Sequence, residues 1–323
     1  MFDIPMQLAC AEARKYLGAT SPNPPVGAVA LDANGTILAT AAHRRAGDDH
    51  AEAALLKICR EKNLLKDVHT LCVTLEPCNH HGRTPPCTDA IIEAGIKRVV
   101  IGARDPNPKV KGGGIETLKE TGIEIICGVN ENECQQLIHV FSYHATTGKP
   151  WITIKRAINR DGTMIPISGQ KTFTSQSSLL LAHRLRKKAD AILTGSGTIV
   201  KDDPLFTVRH IADYPNKKRI LAIMDLDNKV PNDYIKAAEQ RGFKVSVYKD
   251  VKTAIDDLTN KGVQDILVEA GPSLSQAMFD YHFWNISVTI QQADPDKITV
   301  EFNPSEPLPF KKDSFSWDYF LPA

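Results

Sequence analysis

No apolar run in the 323-residue sequence approaches the roughly 20 residues that span a bilayer, so no membrane helix is expected. Charge of one sign is also lacking. Lys and Arg number 39 against 38 Asp and Glu, and the net charge of +1 gives no global field toward nucleic acid or an anionic surface. A basic, aromatic-rich stripe is absent as well, which argues against a nucleic-acid-binding module. The opening text, MFDIPMQLACAEARKYLG, carries Asp3 and Glu12 and has no basic lead before an apolar stretch. A secretory leader is therefore not expected, and the cytoplasm is the expected location. There is no G-x-G-x-x-G, no internal repeat and no low-complexity tract. Cysteine is missing from everything after position 134.

All seven cysteines lie before that point: Cys10, Cys59, Cys72, Cys78, Cys87, Cys127 and Cys134. An odd number in a chain of this size without a leader reads as reduced thiols or metal ligands rather than a disulfide framework. Cys10, Cys59 and Cys72 sit in apolar text and read as core residues. The length implies two domains of about 150 residues each, and ATTGKP at 145–150 marks the break. Before it, helical and strand patterns alternate. Asp3 is the expected cap of the first helix, Asn34-Gly35 the turn of a hairpin, and the 131–145 text one closing helix. After it, a second α/β series runs to about residue 293, where the text turns acidic, Pro-rich and irregular. Strands alternating with helices predict largely parallel sheets covered on both faces.

TLEPCNHHGRTPPC at 74–87 holds two cysteines and two histidines. Alone it could be a closed site of Cys78, His80, His81 and Cys87, which would be structural. HAE at His50–Glu52, opening a helix upstream, would then be unexplained. Joined to it, His-x-Glu followed by Pro-Cys and a second cysteine opening another helix is the zinc deaminase pattern. One imidazole and two thiolates leave a fourth tetrahedral position for water, as a catalytic zinc requires. Helix starts favour thiolate, and Glu52 is free to move protons. The spacing departs from Cys-x-x-Cys, with the eight residues NHHGRTPP between Cys78 and Cys87. Glu76 reads as a buried structural carboxylate.

SPNPPVGAV, HRRAGDDHAEAALL, VTLEPCNHHGRTPPCTDAIIEAGIKRVV and DPNPKVKGGG resemble the deaminase half of the bifunctional riboflavin-biosynthesis deaminase/reductase family. The resemblance implies an α/β protein with a cytidine-deaminase-like αβα domain at 1–145 and a dihydrofolate-reductase-like α/β domain at 150–323. It implies zinc on His50, Cys78 and Cys87, with Glu52 as catalytic proton shuttle. Asn23, His43, Asp105 and Asn107 would face the pyrimidine and its ribosyl phosphate. The family usually has Pro before the ligand histidine, where this chain has Asp49.

In the second half, ITIKRAINRDGTM, SGQKTFTS, LRKKADAILTGSGTIVKDDPLFTVR and VEAGPSL fall in the family's order. TGSGT reads as a Gly-rich turn able to meet a phosphate. By resemblance Ala157, Phe173, Thr198, Asp202 and Gly271 would sit near NADPH, and Arg186, Phe206, Arg209 and Glu269 would meet substrate. The departures are larger here: Asn159-Arg160-Asp161-Gly162 replaces the usual Ser-Leu-Asp-Gly, and FWNISVTIQQADPDKITVEF replaces the family's final segment. The implied function is hydrolytic deamination of 2,5-diamino-6-(5-phosphoribosylamino)pyrimidin-4-one, then NADPH-dependent reduction of ribosyl to ribityl. An active deaminase with a non-reducing second domain is the alternative. The implied partner is a small phosphorylated pyrimidine, with neither nucleic acid nor membrane, and a homo-oligomer is compatible with the sequence.

Overall fold

A computed structural model describes residues 2–80, 85–107, 113–164 and 174–323. The chain forms two compact units: 1–148 with 308–323, and 149–307. The C-terminal residues, expected with the second domain, therefore belong to the first unit. No helix among the described residues is long and apolar enough to cross a membrane.

In the first unit, helix α1 (Asp3–Arg14) precedes a hairpin of β1 (Gly27–Leu31) and β2 (Ile37–Ala42). Then come α2 (Ala51–Glu61), β3 (Thr70–Leu75), α3 (Cys87–Glu93), β4 (Arg98–Ala103), α4 (Gly114–Glu120) and β5 (Glu124–Cys127). The sheet order is β2-β1-β3-β4-β5. Only β3, β4 and β5 are parallel neighbours; β1 is antiparallel to both β2 and β3, so this sheet is mixed rather than largely parallel. The period of two explains the two-sided core. Ala28, Ala30, Leu71, Val73, Val99 and Ile101 face α2, α3 and α4, while Val29, Cys72 and Val100 face α1. Helix α1 lies so close to β1 that a Cβ on Gly27 would meet the Ala9 carbonyl oxygen at 1.9 Å.

Two local expectations change. Asp3 is the first helical residue, and the preceding Phe2 makes no side-chain cap. The closing helix is two helices, α5 (Glu131–Leu137) and α6 (His139–Thr147), broken at Ile138. The Asn34-Gly35 turn is as expected, with Asp32 Oδ1 accepting the Asn34 and Thr36 amides at 2.8 Å each.

The second unit contains β6 (Trp151–Ile158), α7 (Gln176–Lys188), β7 (Ala191–Gly195), α8 (Ser196–Asp202), β8 (Ile220–Met224) and α9 (Asn232–Gln240). It continues with β9 (Lys244–Tyr248), α10 (Val251–Asn260), β10 (Asp265–Val268), α11 (Pro272–Asp280), β11 (Ile286–Gln291) and β12 (Lys297–Phe302). The order is β12-β11-β6-β10-β7-β8-β9, and only β12 runs antiparallel to its neighbour. The C-terminal ends of β6, β7, β8 and β10 thus share one edge, where open α/β sheets bind ligands.

The text after about 293 is not wholly irregular, because it holds β12. ISVTIQ and KITVEF form a hairpin, and its Asp296 carboxylate accepts the Ser175 amide and the Ser178 hydroxyl, both at 2.6 Å, at the start of α7. The turn expected at TGSGT is a direct step from strand to helix, since β7 ends at Gly195 and α8 begins at Ser196. Beyond 307 the chain returns to the first unit and ends in α12 (Trp317–Phe320).

Candidate active site

His50 is the N-cap residue of α2, and Cys87 opens α3. Cys78 lies in the loop after β3. Their ligand atoms all fall within 4.8 Å of one another: His50 Nδ1 is 3.3 Å from Cys87 Sγ and 3.5 Å from Cys78 Sγ. Among the described residues no other histidine, cysteine or carboxylate joins this cluster. His80 lines the neighbouring cavity without joining the three, and His81 lies outside the described residues. Two soft thiolates and one imidazole form a donor set suited to zinc.

The first turn of α3 prepares the thiolate. Cys87 N–H points at Cys78 Sγ at 3.4 Å, and Thr88 N–H donates to the Cys78 carbonyl at 3.3 Å. A hydrogen bond from the Cys87 thiol lowers the Cys78 pKa to about 4 against the opposing effect of burial, while the Cys87 thiol is pushed up by that same bond and by burial. Of the two thiols Cys78 is thus the more acidic, and hydrogen bonding to Cys78 raises the pKa of His50. Glu52, on the first turn of α2, is 3% exposed. Burial, then the Cys78 charge, raises its pKa to about 7; a bound cation would act in the opposite direction.

His50, Glu52 and Cys78 face a cavity of about 430 Å³ that is also lined by Asn23, His43, Asp105, Asn107 and Phe141. His43 is buried, and Nδ1–H donates to the Asp49 carbonyl at 3.0 Å. Its Nε2 is therefore an acceptor, matched by Asn23 Nδ2 at 3.1 Å. Burial lowers the His43 pKa, which keeps the ring neutral. Asp105 Oδ1 accepts the Asn107 amide at 2.8 Å, and burial raises its pKa. All four polar residues expected to face a pyrimidine line this one cavity.

Glu76 does structural work here, accepting the Asp105 amide at 3.2 Å and the Ile115 amide at 3.3 Å. It ties the loop after β4 to the start of α4. Gly114 makes this approach possible, since a Cβ there would meet the Pro77 carbonyl oxygen at 2.1 Å. Asn79 was missed by sequence reasoning. It bridges Thr88 and Thr117 at 2.8 Å each, fixing the residue after Cys78 between α3 and α4.

In the second unit, Arg186 and Glu269 meet each other rather than standing ready for ligand. Arg186 Nε and Nη2 donate to the two Glu269 oxygens at 2.5 and 2.8 Å, and Lys155 Nζ lies 3.5 Å from the same carboxylate. Burial opposes ionisation of Glu269, but Arg186 and Lys155 outweigh it and hold the pKa near about 2. Arg186, expected to meet substrate, thus has its Nε and Nη2 engaged by Glu269. Phe206, expected to touch substrate, is a core side chain packed with Ile192, Ile199 and Tyr234. Arg209 is exposed, with Nη1 3.4 Å from Thr207 Oγ1.

Of the expected cofactor residues, Thr198 and Gly271 are brought together. Gly271 N–H donates to Thr198 Oγ1 at 3.1 Å, joining the ends of β7 and β10. Ala157 lies near the end of β6, opposite Ile290, and Asp202 is exposed at the end of α8. Phe173 lies outside the described residues. Lys155, missed as a site residue, could have been found from the Lys-x-Ala text of β6.

The fold and this site define a zinc deaminase domain joined to a second α/β domain. Residues 4–103 match the cytidine and deoxycytidylate deaminase zinc-binding region, and residues 150–285 match the RibD C-terminal domain. The riboflavin biosynthesis protein RibD of Aquifex aeolicus is 37% identical over 311 residues, covering 96% of this chain and 83% of that protein. That of Escherichia coli is 36% identical over 292 residues, with 80% and 78% covered. A solved deaminase/reductase from Thermotoga maritima superposes with a TM-score of 0.77 at 32% identity, covering 90% of this chain and 86% of that one. Acinetobacter baumannii RibD gives a TM-score of 0.73 at 27% identity, covering 98% and 91%. The chain belongs to the RibD family of riboflavin biosynthesis proteins, with a deaminase and a reductase domain in one polypeptide.

Proposed function

We propose that the first unit hydrolytically deaminates 2,5-diamino-6-(5-phosphoribosylamino)pyrimidin-4-one and that the second reduces the ribosyl group of its product to ribityl with NADPH. The observation that carries this reading is the clustering of His50, Cys78 and Cys87, with His50, Cys78 and Glu52 opening onto the cavity that the Asn23–His43 pair also lines. His50, Cys78 and Cys87 would hold zinc, which when bound supplies Lewis-acid activation of water at neutral pH. Glu52 takes a proton from the attacking water and gives it to the departing amine, a task suited to a buried carboxyl on the same helix turn as the ligand His50. Asn23, oriented by neutral His43, directs its remaining amide capacity toward the ring. Asp105 and Asn107 flank the ribosyl phosphate end of the cavity.

In the second unit NADPH would lie along the shared strand edge near Thr198 and Gly271 and supply the hydride. Lys155, held by Glu269, offers an ammonium there for a substrate oxygen. Free thiols throughout fit a cytoplasmic enzyme. No observation favours a non-reducing second domain, since the RibD C-terminal match spans 150–285. Following ammonia and NADPH separately on one preparation tests the reading. One equivalent of ammonia should appear per substrate, then one of NADPH should be consumed; ammonia without NADPH consumption would restore the non-reducing alternative, and no ammonia would refute deamination.

A further inference from the structure

The C-terminal residues have no role in the chemistry above, and Phe141 belongs to no expected site. They are connected. Phe141 supplies the one phenyl ring among the described residues lining the deaminase cavity. It sits on α6, two residues after His139, so it points about 200° around the helix from His139. His139 faces the other way, into the tail: its ring stacks on Phe320 with centroids 4.2 Å apart at 20°, and meets Phe310 edge-on at 6.2 Å.

The break between α5 and α6 is held by the same tail. Gln136 is fully buried; its Nε2 donates to the Ser314 carbonyl at 2.9 Å, and its Oε1 accepts the Ser316 amide at 2.8 Å. His139 Nδ1–H donates to the Gln136 carbonyl at 2.6 Å, joining the two anchor residues. Around them, Phe315 and Trp317 complete a ring cluster with Phe320. Arg14 Nε adds a bond to the Leu321 carbonyl at 3.0 Å. The rotation of α6, and with it the direction of Phe141, is therefore set by 308–323.

We propose that Phe141 is a specificity residue of the deaminase site, giving the pyrimidine ring an apolar face, and that the C-terminal tail positions it through Gln136 and His139. The inference rests on the deaminase reading above. A flat heteroaromatic substrate needs a surface for its ring face, and the polar groups Asn23, His43, Asp105 and Asn107 serve edges and hydroxyls rather than that face.

The test is the KM and kcat of ammonia release by the full chain carrying Phe141→Ala, Gln136→Leu, or both. Zinc per chain and NADPH-dependent reduction of the deaminated substrate serve as controls. Phe141→Ala should raise KM about tenfold, the size of one base-on-ring contact, with both controls unchanged. Gln136→Leu should raise KM in the same direction, and the double variant should match Phe141→Ala alone, because the second change acts through the first. Should Gln136→Leu lose zinc, Phe320→Leu replaces it in the same cycle with the same expectation. A Phe141→Ala enzyme with KM within about twofold of wild type overturns the specificity role, and free-energy additivity in the double variant overturns positioning by the tail. A wild-type chain that releases no ammonia overturns the deaminase reading itself, and this inference with it.

Discussion

Glu52 and Glu269 are both buried glutamates, 3% and 7% exposed, yet they are set to opposite protonation tendencies. Burial pushes both upward. At Glu52 the neighbouring charge is the Cys78 thiolate, which adds to that push and takes the pKa to about 7. At Glu269 the neighbours are Arg186 and Lys155, which reverse it to about 2. Equal burial thus yields a group able to carry a proton in one unit and a permanent charge in the other. The first unit gathers acceptors that need a cation, whereas the second has already neutralised its charges by pairing them. This contrast explains why the deaminase ligands were visible as a set while the reductase residues were visible only by resemblance.

The comparison can be broken from either side. Cys87→Ala removes one thiolate from the three-donor set, and metal affinity should fall by more than about 100-fold, beyond what changes in surrounding groups cost; chelator competition reads this, and ammonia release should vanish with it. Glu269→Gln leaves the half-buried Arg186 and Lys155 facing a neutral amide and should destabilise the second unit by about 3 kcal/mol. Denaturant midpoints followed by a probe in that unit would show the drop, with ammonia release retained.

Acid titration sharpens the same point. The Glu269 pKa is lower folded, about 2, than its reference of 4.5, so the unfolded chain binds the extra proton between those values. Its contribution of about 3 kcal/mol is fully present above pH 4.5 and is lost as pH falls through 2. Glu269→Gln should flatten the stability profile over that window; an unchanged slope would contradict the pairing. The smallest effect is expected at Gly114→Ala, where the new Cβ must displace the Pro77 carbonyl beside Cys78. About 1–3 kcal/mol of strain should appear as a lower melting temperature with weaker zinc retention.

Periodicity located most elements because their faces differ. Ala28, Ala30, Leu71 and Val73 alternate with Val29 and Cys72 between two cores, so the strand pattern is strong. The β11–β12 hairpin was lost for a physical reason. Its outer strand is an exposed edge with mixed polar text, and Asp294-Pro295-Asp296 reads as an acidic loop until Asp296 is seen bonding Ser175 and Ser178 at the start of α7. The tail was misplaced because its partners, Arg14, Gln136 and His139, are far away in sequence and none announces an aromatic neighbour. Phe141 was illegible for the same reason: a helix of nine residues offers little to say which face meets a cavity. The metal ligands were legible because chemistry, rather than packing, fixes their types, and two of the three, His50 and Cys87, stand at helix starts. Pairing of Arg186 with Glu269 was not, because Arg186 alone reads as a surface charge and its partner lies 83 residues away.

The central claim is that Glu52 moves the proton while His50, Cys78 and Cys87 hold the metal. Glu52→Gln, measured for zinc per chain and for ammonia release on one preparation, tests it most directly. The account predicts wild-type zinc content, unchanged reduction of the deaminated substrate, and ammonia release lowered by about 10²–10⁴-fold. Ammonia release within about threefold of wild type, with zinc in place, would contradict it.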